Sequence, residues 1–244
     1  MRIKAGPSLA SQVGNALRIM LTEQYADGGR LPGEHELALK LGVNRSTVRE
    51  ALEALTREGL ITRRQGSGTC ANPRVIGINT RLEDLVGYKE LISSFGFKPS
   101  VKQFPLELEE ASSDVAHNLN IPTRSLVLVS REILYANGKP VIYVEDKIPQ
   151  SLIREEAKED ELAESVLGFL EERCYQRISY CLTEIIPRVC DGPIRKALGL
   201  PPNQAVLQCK DILFNVNNEP ILTCQSFFRE PFIRFHLVKR RRVG

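Results

Sequence analysis

Arg45 and Arg49, four residues apart, and the adjacent Arg63 and Arg64 with Gln65–Gly66–Ser67–Gly68 behind them are the residues whose spacing suggests chemistry. A guanidinium can donate two parallel hydrogen bonds to O6 and N7 of guanine. Residues four apart share one side of a helix. Arginines beside glycines suit phosphate, because glycine lets the backbone come close while the cation neutralises charge. Taken singly, such charges describe an ordinary solvated surface. The elements around them favour DNA.

Leu37 and Leu41 give a short helix its apolar side, beginning after Pro32, which suits a helix start. Gly42 ends that helix and permits a left-handed turn. Asn44 is a good N-cap. Val48, Ala51, Leu52 and Leu55 then recur at i, i+3, i+4 and i+7, one apolar stripe of a second helix. Arg45 and Arg49 fall on its other side near the N-terminal end, where recognition helices read bases. Ile61–Arg64, the Gln65–Gly68 turn and Thr69–Ala71 follow as a hairpin with a basic tip, placing Arg63 and Arg64 beside phosphate.

Residues 9–71 resemble the winged helix-turn-helix of GntR-type transcription regulators, through LPGEHELA, VNRSTVREAL, EGLI and the QGSGT wing. The resemblance implies DNA contacts from His35, Asn44, Arg45, Ser46, Thr47, Arg49, Gln65 and Gly66. His35 stands where the family commonly has arginine, Gly33 where it has serine or alanine, and Asn44 where it has serine or threonine.

The 244 residues are enough for two modest domains. The apolar fraction of 42% and the mean hydropathy of −0.18 are those of a soluble chain. No apolar run reaches the ~18 residues of a membrane span, and the first residues lack a secretory apolar core. A cytoplasmic protein without membrane partners is expected. Residues 1–75 carry 11 Lys+Arg against 7 Asp+Glu, a balance of +4, while the remainder carry 22 against 23. The basic excess thus lies in the DNA-binding part. Lys239–Arg242 is a second basic cluster, read as a solvated tail. Six cysteines occur without a CxxC pair, so reduced, mostly buried thiols are expected and neither metal nor cofactor.

Beyond a linker at 72–86 the chain repeats itself. Val115–Pro122 followed by Leu126–Tyr135 matches Ile194–Pro201 followed by Ala205–Phe214 at an offset of 79, and Asn137–Val141 matches Asn217–Ile221 at 80. Each copy reads as helix, strand, hairpin, strand. Strands at Val101–Leu108 and Gln176–Ile186 precede them, and a helix spans Asp160–Cys174. The expectation is an α+β domain, one antiparallel sheet with helices on one face, with a pocket where the halves meet.

This half resembles the UTRA effector domain of the HutC subfamily, similar in fold to chorismate lyase. The resemblance rests on the Arg131 strand, NGKP before Val141, Glu145 four residues before Pro149, LGLPP at 198–202 and SFFREPFIRF at 226–235. It implies a small-molecule effector and a homodimer. The expected architecture is therefore a winged helix at 1–71, a linker at 72–86 and a UTRA-like domain at 87–244.

Strand alternation puts Arg131 with Ile133 and Tyr135, Tyr143 with Glu145, and Arg177 with Ser179. Arg131 and Glu145, with Tyr88, Arg177 and Ser179, are the effector candidates, suited to a polar or anionic metabolite. The competing reading is a cross-strand Arg131–Glu145 ion pair. Family members that bind sugar phosphates use an RxR pair, and Ile133 stands at its second position, which leaves a carboxylate, a sulfonate or a more apolar ligand open. A repressor released from a palindromic double-stranded operator is the leading function. The alternative, a chorismate-lyase-like enzyme fused to a DNA-binding domain, finds no nucleophile–base–acid set, and fold likeness alone carries no activity.

Overall fold

The computed structural model describes residues 8–64, 68–78, 81–154, 157–190 and 192–239, without the side chain of Arg64. The chain forms two compact units, residues 1–82 with 236–244 and residues 83–235.

The first unit contains α1 (Leu9–Gln24), β1 (Gly29–Arg30), α2 (Glu34–Leu41), α3 (Arg45–Glu58), β2 (Ile61–Arg64), β3 (Gly68–Ala71) and α4 (Pro73–Ile76). The stripe expected on α3 is the core: Val48, Ala51, Leu52 and Leu55 pack against Val13, Leu17 and Leu21 of α1 and Leu37 of α2. Gly42 (φ 65°) and Gly59 (φ 87°) end α2 and α3 in the left-handed region, which glycine enters without a Cβ penalty. Their positions set the angle at which α3 leaves α2 and the wing leaves α3. The wing is a three-stranded sheet in the order β1-β3-β2.

Residues 72–86, expected as a linker, divide between the units at 82/83. Ile76 packs on the first core, the Arg81 guanidinium donates to the Glu58 carbonyl at 2.6 Å, and Leu82 N–H donates to the carbonyl of His236 at 2.9 Å.

The second unit contains α5 (Tyr88–Ser94), β4 (Pro99–Gln103), β5 (Glu107–Glu110), α6 (Ser113–Leu119), β6 (Leu126–Ala136), β7 (Lys139–Pro149), α7 (Glu159–Glu164), α8 (Val166–Glu172), β8 (Ile178–Val189), α9 (Gly192–Ala197), β9 (Ala205–Asn215) and β10 (Pro220–Phe228). Its antiparallel sheet runs β4-β6-β7-β10-β9-β8, with β5 also on β6. The duplication is visible in that order, for each copy contributes one hairpin and β7 meets β10 at the centre. Arg131 pairs with Glu145 and its counterpart Lys210 with Gln225, while Glu145 pairs with Gln225 across the junction.

Helices cover both faces of this sheet, not one. Leu128, Leu134, Ile142, Val144 and Ile148 point toward Leu91 and Ile92 of α5, Leu162 of α7 and Phe169 and Leu170 of α8. On the opposite face Val127 and Val129 meet Ala116 and Leu119 of α6, and Val206 and Phe227 meet Leu198 just after α9. The single helix expected over Asp160–Cys174 is two. Ser165 is extended (φ −166°) and its hydroxyl accepts from Gly168 N–H at 3.1 Å, capping a new helix.

Candidate nucleic-acid interface and effector site

Asn44, at the start of α3, has an extended backbone and no side-chain capping bond. Asn44, Arg45 and Ser46 are exposed, and Thr47 is half-buried. The first N–H groups of a helix lack intrahelical acceptors and favour anions. Arg45 has no ion-pair partner among the described residues. His35 is exposed on α2, one position beyond Glu34.

Glu34 gathers the other cations. Its Oε2 accepts from Arg49 Nη2 at 2.9 Å and its Oε1 accepts from Arg63 on the wing strand. The Arg49 hydrogen bond, helped by Arg63 against partial burial, holds the Glu34 carboxyl below its ordinary range. One carboxylate therefore links α2, the recognition helix and the wing. Arg64 ends β2 opposite Gly68, while Gln65 and Gly66 lie outside the described residues. The sequence reading missed two participants. Glu34 was legible in the LPGE segment. Arg30 was not: its guanidinium Nε lies 2.7 Å from where a Cβ on Gly68 would stand, the φ of +78° at Gly68 favours glycine, and Arg30 adds a cation at the wing's base.

In the second unit the five effector candidates do not form one site. Arg131 and Glu145 sit on the face that carries α6 and α9. Arg131 donates to Glu145 at 2.7 Å, to Glu107 at 2.6 Å and to Glu109 at 2.6 Å. Lys147 lies 3.1 Å from Glu145. Burial alone would raise the Glu145 carboxyl, but Arg131 and Lys147 overcome it and hold the carboxyl below its ordinary range. The cross-strand pair is present and extended to a network. Arg177 and Ser179 are exposed at the start of the far edge strand β8, beside a bulge between Ile178 and Tyr180. That strand is four steps from β6, about 19 Å at ~4.8 Å per strand. Arg131→Ala is expected to lower stability by about 2 kcal/mol, between the values for exposed and for buried ion pairs, because three carboxylates lose their shared cation. Urea unfolding checks this. An equally stable variant that no longer answers its ligand would return Arg131 to the effector site.

Tyr88 is on the opposite face, where a polar band crosses the core. The row Ser130–Asp146–Cys224–Asp211–Thr183 runs across five strands, and Glu132, Ser226 and Cys209 belong to the next row. The Tyr88 hydroxyl is 3.4 Å from Cys224 Sγ, and its ring meets Phe228 edge-on. Burial pushes Asp146 up to about 7, with Asp211 and Glu145 adding to the rise and a hydrogen bond from Cys224 opposing it. Burial likewise pushes Glu132 up to about 8 and raises Asp211. Cys181 and Cys209 are each pushed up to about 12 by burial, which keeps them thiols. Among the described residues no cluster has the composition of a metal site.

Comparison with known proteins fits this two-part geometry. Residues 9–70 match the family of bacterial regulatory proteins named gntR, and residues 94–232 match the UTRA domain. The chain is 27% identical over 213 residues to the HTH-type transcriptional regulator GgaR of Escherichia coli, covering 87% of this chain and 82% of that one. It is 26% identical over 200 residues to the HTH-type transcriptional repressor NagR of Bacillus subtilis, covering 82% and 81%. A shorter match, 33% identical over 129 residues, covers 52% of this chain and 52% of the B. subtilis regulator YurK. In fold it is similar to the crystal structures of YydK from B. subtilis (TM-score 0.76, 19% identity, 95% and 99% coverage) and PhnF from Mycobacterium smegmatis (0.60, 22%, 94% and 100%). GgaR, NagR and YurK are named as transcriptional regulators, and the enzyme alternative has no support among them. With a DNA-binding winged helix and a small-molecule effector domain in one chain, the protein belongs to the GntR family of transcription regulators, in its UTRA-bearing, HutC-type branch.

Proposed function

We propose that this regulator is a repressor acting in the bacterial cytoplasm as a homodimer on a palindromic operator, released when a small molecule occupies the effector domain. The observation that carries the reading is the grouping of Arg45, Arg49 and Arg63 around the exposed start of α3. His35, Asn44, Ser46, Thr47, Arg64, Gln65 and Gly66 complete the proposed DNA contacts. Effector contacts are assigned to Tyr88 and the polar band beneath it rather than to Arg131, Glu145, Arg177 and Ser179. The similarity to NagR, named a repressor, supports the sign of the response.

A single winged helix reads few base pairs, too few for genomic specificity. Two copies about a two-fold axis read a palindrome with fixed half-site spacing. The 12-residue edge strand β8, with Tyr180, Leu182, Ile185 and Val189 exposed, supports self-pairing, since open apolar edges need covering. Selection of operators from a random double-stranded pool is expected to return palindromes, and sedimentation to show a dimer at micromolar concentration that Ile185→Lys weakens. A monomer with full affinity for a lone half-site would overturn the scheme.

A further inference from the structure

The polar band under Tyr88 has an excess of acceptors. Glu132 and Asp211 occupy equivalent positions of the two copies, 79 residues apart, with Asp146 between them on the same face. None of the three has an ion-pair partner among the described residues; the cation nearest in influence, Lys89, is bound to Glu164 at 2.8 Å. Independently of the acids, Ser226 is fully buried on this face and its Oγ has no hydrogen-bond partner. Asp146 Oδ1 and Gln103 Oε1 are also unpartnered. Nearly all buried polar atoms in folded proteins are hydrogen-bonded. The donors at hand, the Tyr88 hydroxyl, the Cys224 thiol and Thr183, already serve Cys224, Asp146 and Asp211. The Gln103 amide N–H groups are spent on Ser130 Oγ at 2.9 Å and the Phe104 carbonyl at 3.1 Å, and among the described residues no cation pairs with the band's acids. Beside it, Tyr88, Phe228 and Phe235 form an edge-to-face aromatic chain, and aromatic faces attract cations.

We infer that the effector of this chain is an organic cation, an amine-bearing metabolite whose ammonium sits on Asp146 and Glu132 with Ser226 and Gln103 accepting its remaining donors. This rests on the reading of the second unit as the effector domain, and it departs from the polar or anionic metabolite expected from Arg131 and Glu145. That arginine lies on the other face with its donors taken by Glu107, Glu109 and Glu145. Bringing an ammonium to Asp146 and Glu132 favours their ionised forms, so binding releases protons near neutral pH. The charged and titratable groups facing the pair are Asp211, Lys89, Tyr88 and Cys224, and Glu145 acts on Asp146 from the opposite face of the sheet.

The test uses the full chain in thermal unfolding with putrescine, histamine and glucosamine, against citrate and N-acetylglucosamine 6-phosphate. A ligand that binds only the native state raises its melting temperature. At least one amine is expected to raise it by several degrees and both anions to leave it unchanged. Glu132→Gln, at a half-buried position, is expected to fold and to lose most of that rise, and Asp146→Asn to lose all of it. Calorimetry in buffers of different ionisation enthalpy is expected to report proton release for the amine that binds. No shift with any amine, a larger shift with an anion, or a shift unchanged in Glu132→Gln would overturn the assignment. Operator binding separates this from the regulatory reading: an anion that releases DNA leaves the regulator standing and removes the cation, whereas a bound amine that leaves operator affinity unchanged does the reverse.

Discussion

Arg49→Ala is expected to lose roughly ten- to a hundred-fold in affinity for the selected operator and only a few-fold on random DNA, if its guanidinium reads a base bidentately. Arg49 is exposed near the start of α3, and its partner in the free protein is the Glu34 carboxylate, a two-oxygen acceptor that a guanine edge can replace. Arg63→Ala, on the wing strand, is expected to weaken both DNAs alike and to flatten the salt dependence by about one unit, as loss of a phosphate contact does. Fluorescence anisotropy at several salt concentrations distinguishes them. Equal losses on operator and random DNA for Arg49→Ala would make it a phosphate contact.

The effector domain is expected to be more stable at pH 5 than at pH 8. Asp146 and Glu132 have folded values near 7 and 8 against about 4 when unfolded. Between those limits the folded state binds more protons than the unfolded one, so stability falls as pH rises through the window. Glu34 and Glu145 are held low; they act in the opposite sense, at pH values below the window. At ~1.4 kcal/mol per proton per pH unit, about two units for Asp146 and somewhat under three for Glu132 make the fall from pH 5 to 8 on the order of 6 kcal/mol. Urea unfolding at pH 5, 6.5 and 8 measures it, and Asp146→Asn with Glu132→Gln is expected to flatten the profile. A wild-type domain that gains stability from pH 5 to 8 would mean that the acids are ionised in the fold.

The DNA-binding half was legible because its instructions are local. Gly42 and Gly59 end two helices, and the Val48–Leu55 stripe turns α3 so that Arg45 and Arg49 face outward. The duplication was legible from its offsets. Which side chains of β6 lie on which face was not, for a physical reason. A strand's alternation assigns sides only when one side is wet, and β6 is covered on both: Val127 and Val129 meet α6, Leu128 and Leu134 meet the other helices. Arg131 and Glu132 are neighbours in sequence, and only the register tells that the arginine joins a charged network while the glutamate borders the buried band. Leu162, Val166, Phe169 and Leu170 continued a helical spacing across Ser165 because both short helices rest on one core. The bulge beside Ser179 changes the pairing register where strict alternation was assumed.

Glu34 also bears on how such a protein searches a genome. Most encounters are with the wrong sequence, where phosphate supplies the attraction. In the proposed mode of binding, a passing duplex must displace the carboxylate before Arg49 or Arg63 is free, and a random site offers Arg49 no base edge in exchange. Dwell time on wrong sequence is then expected to shorten more than that on the operator, so that a single acidic side chain would increase the number of sites sampled per second without touching a base.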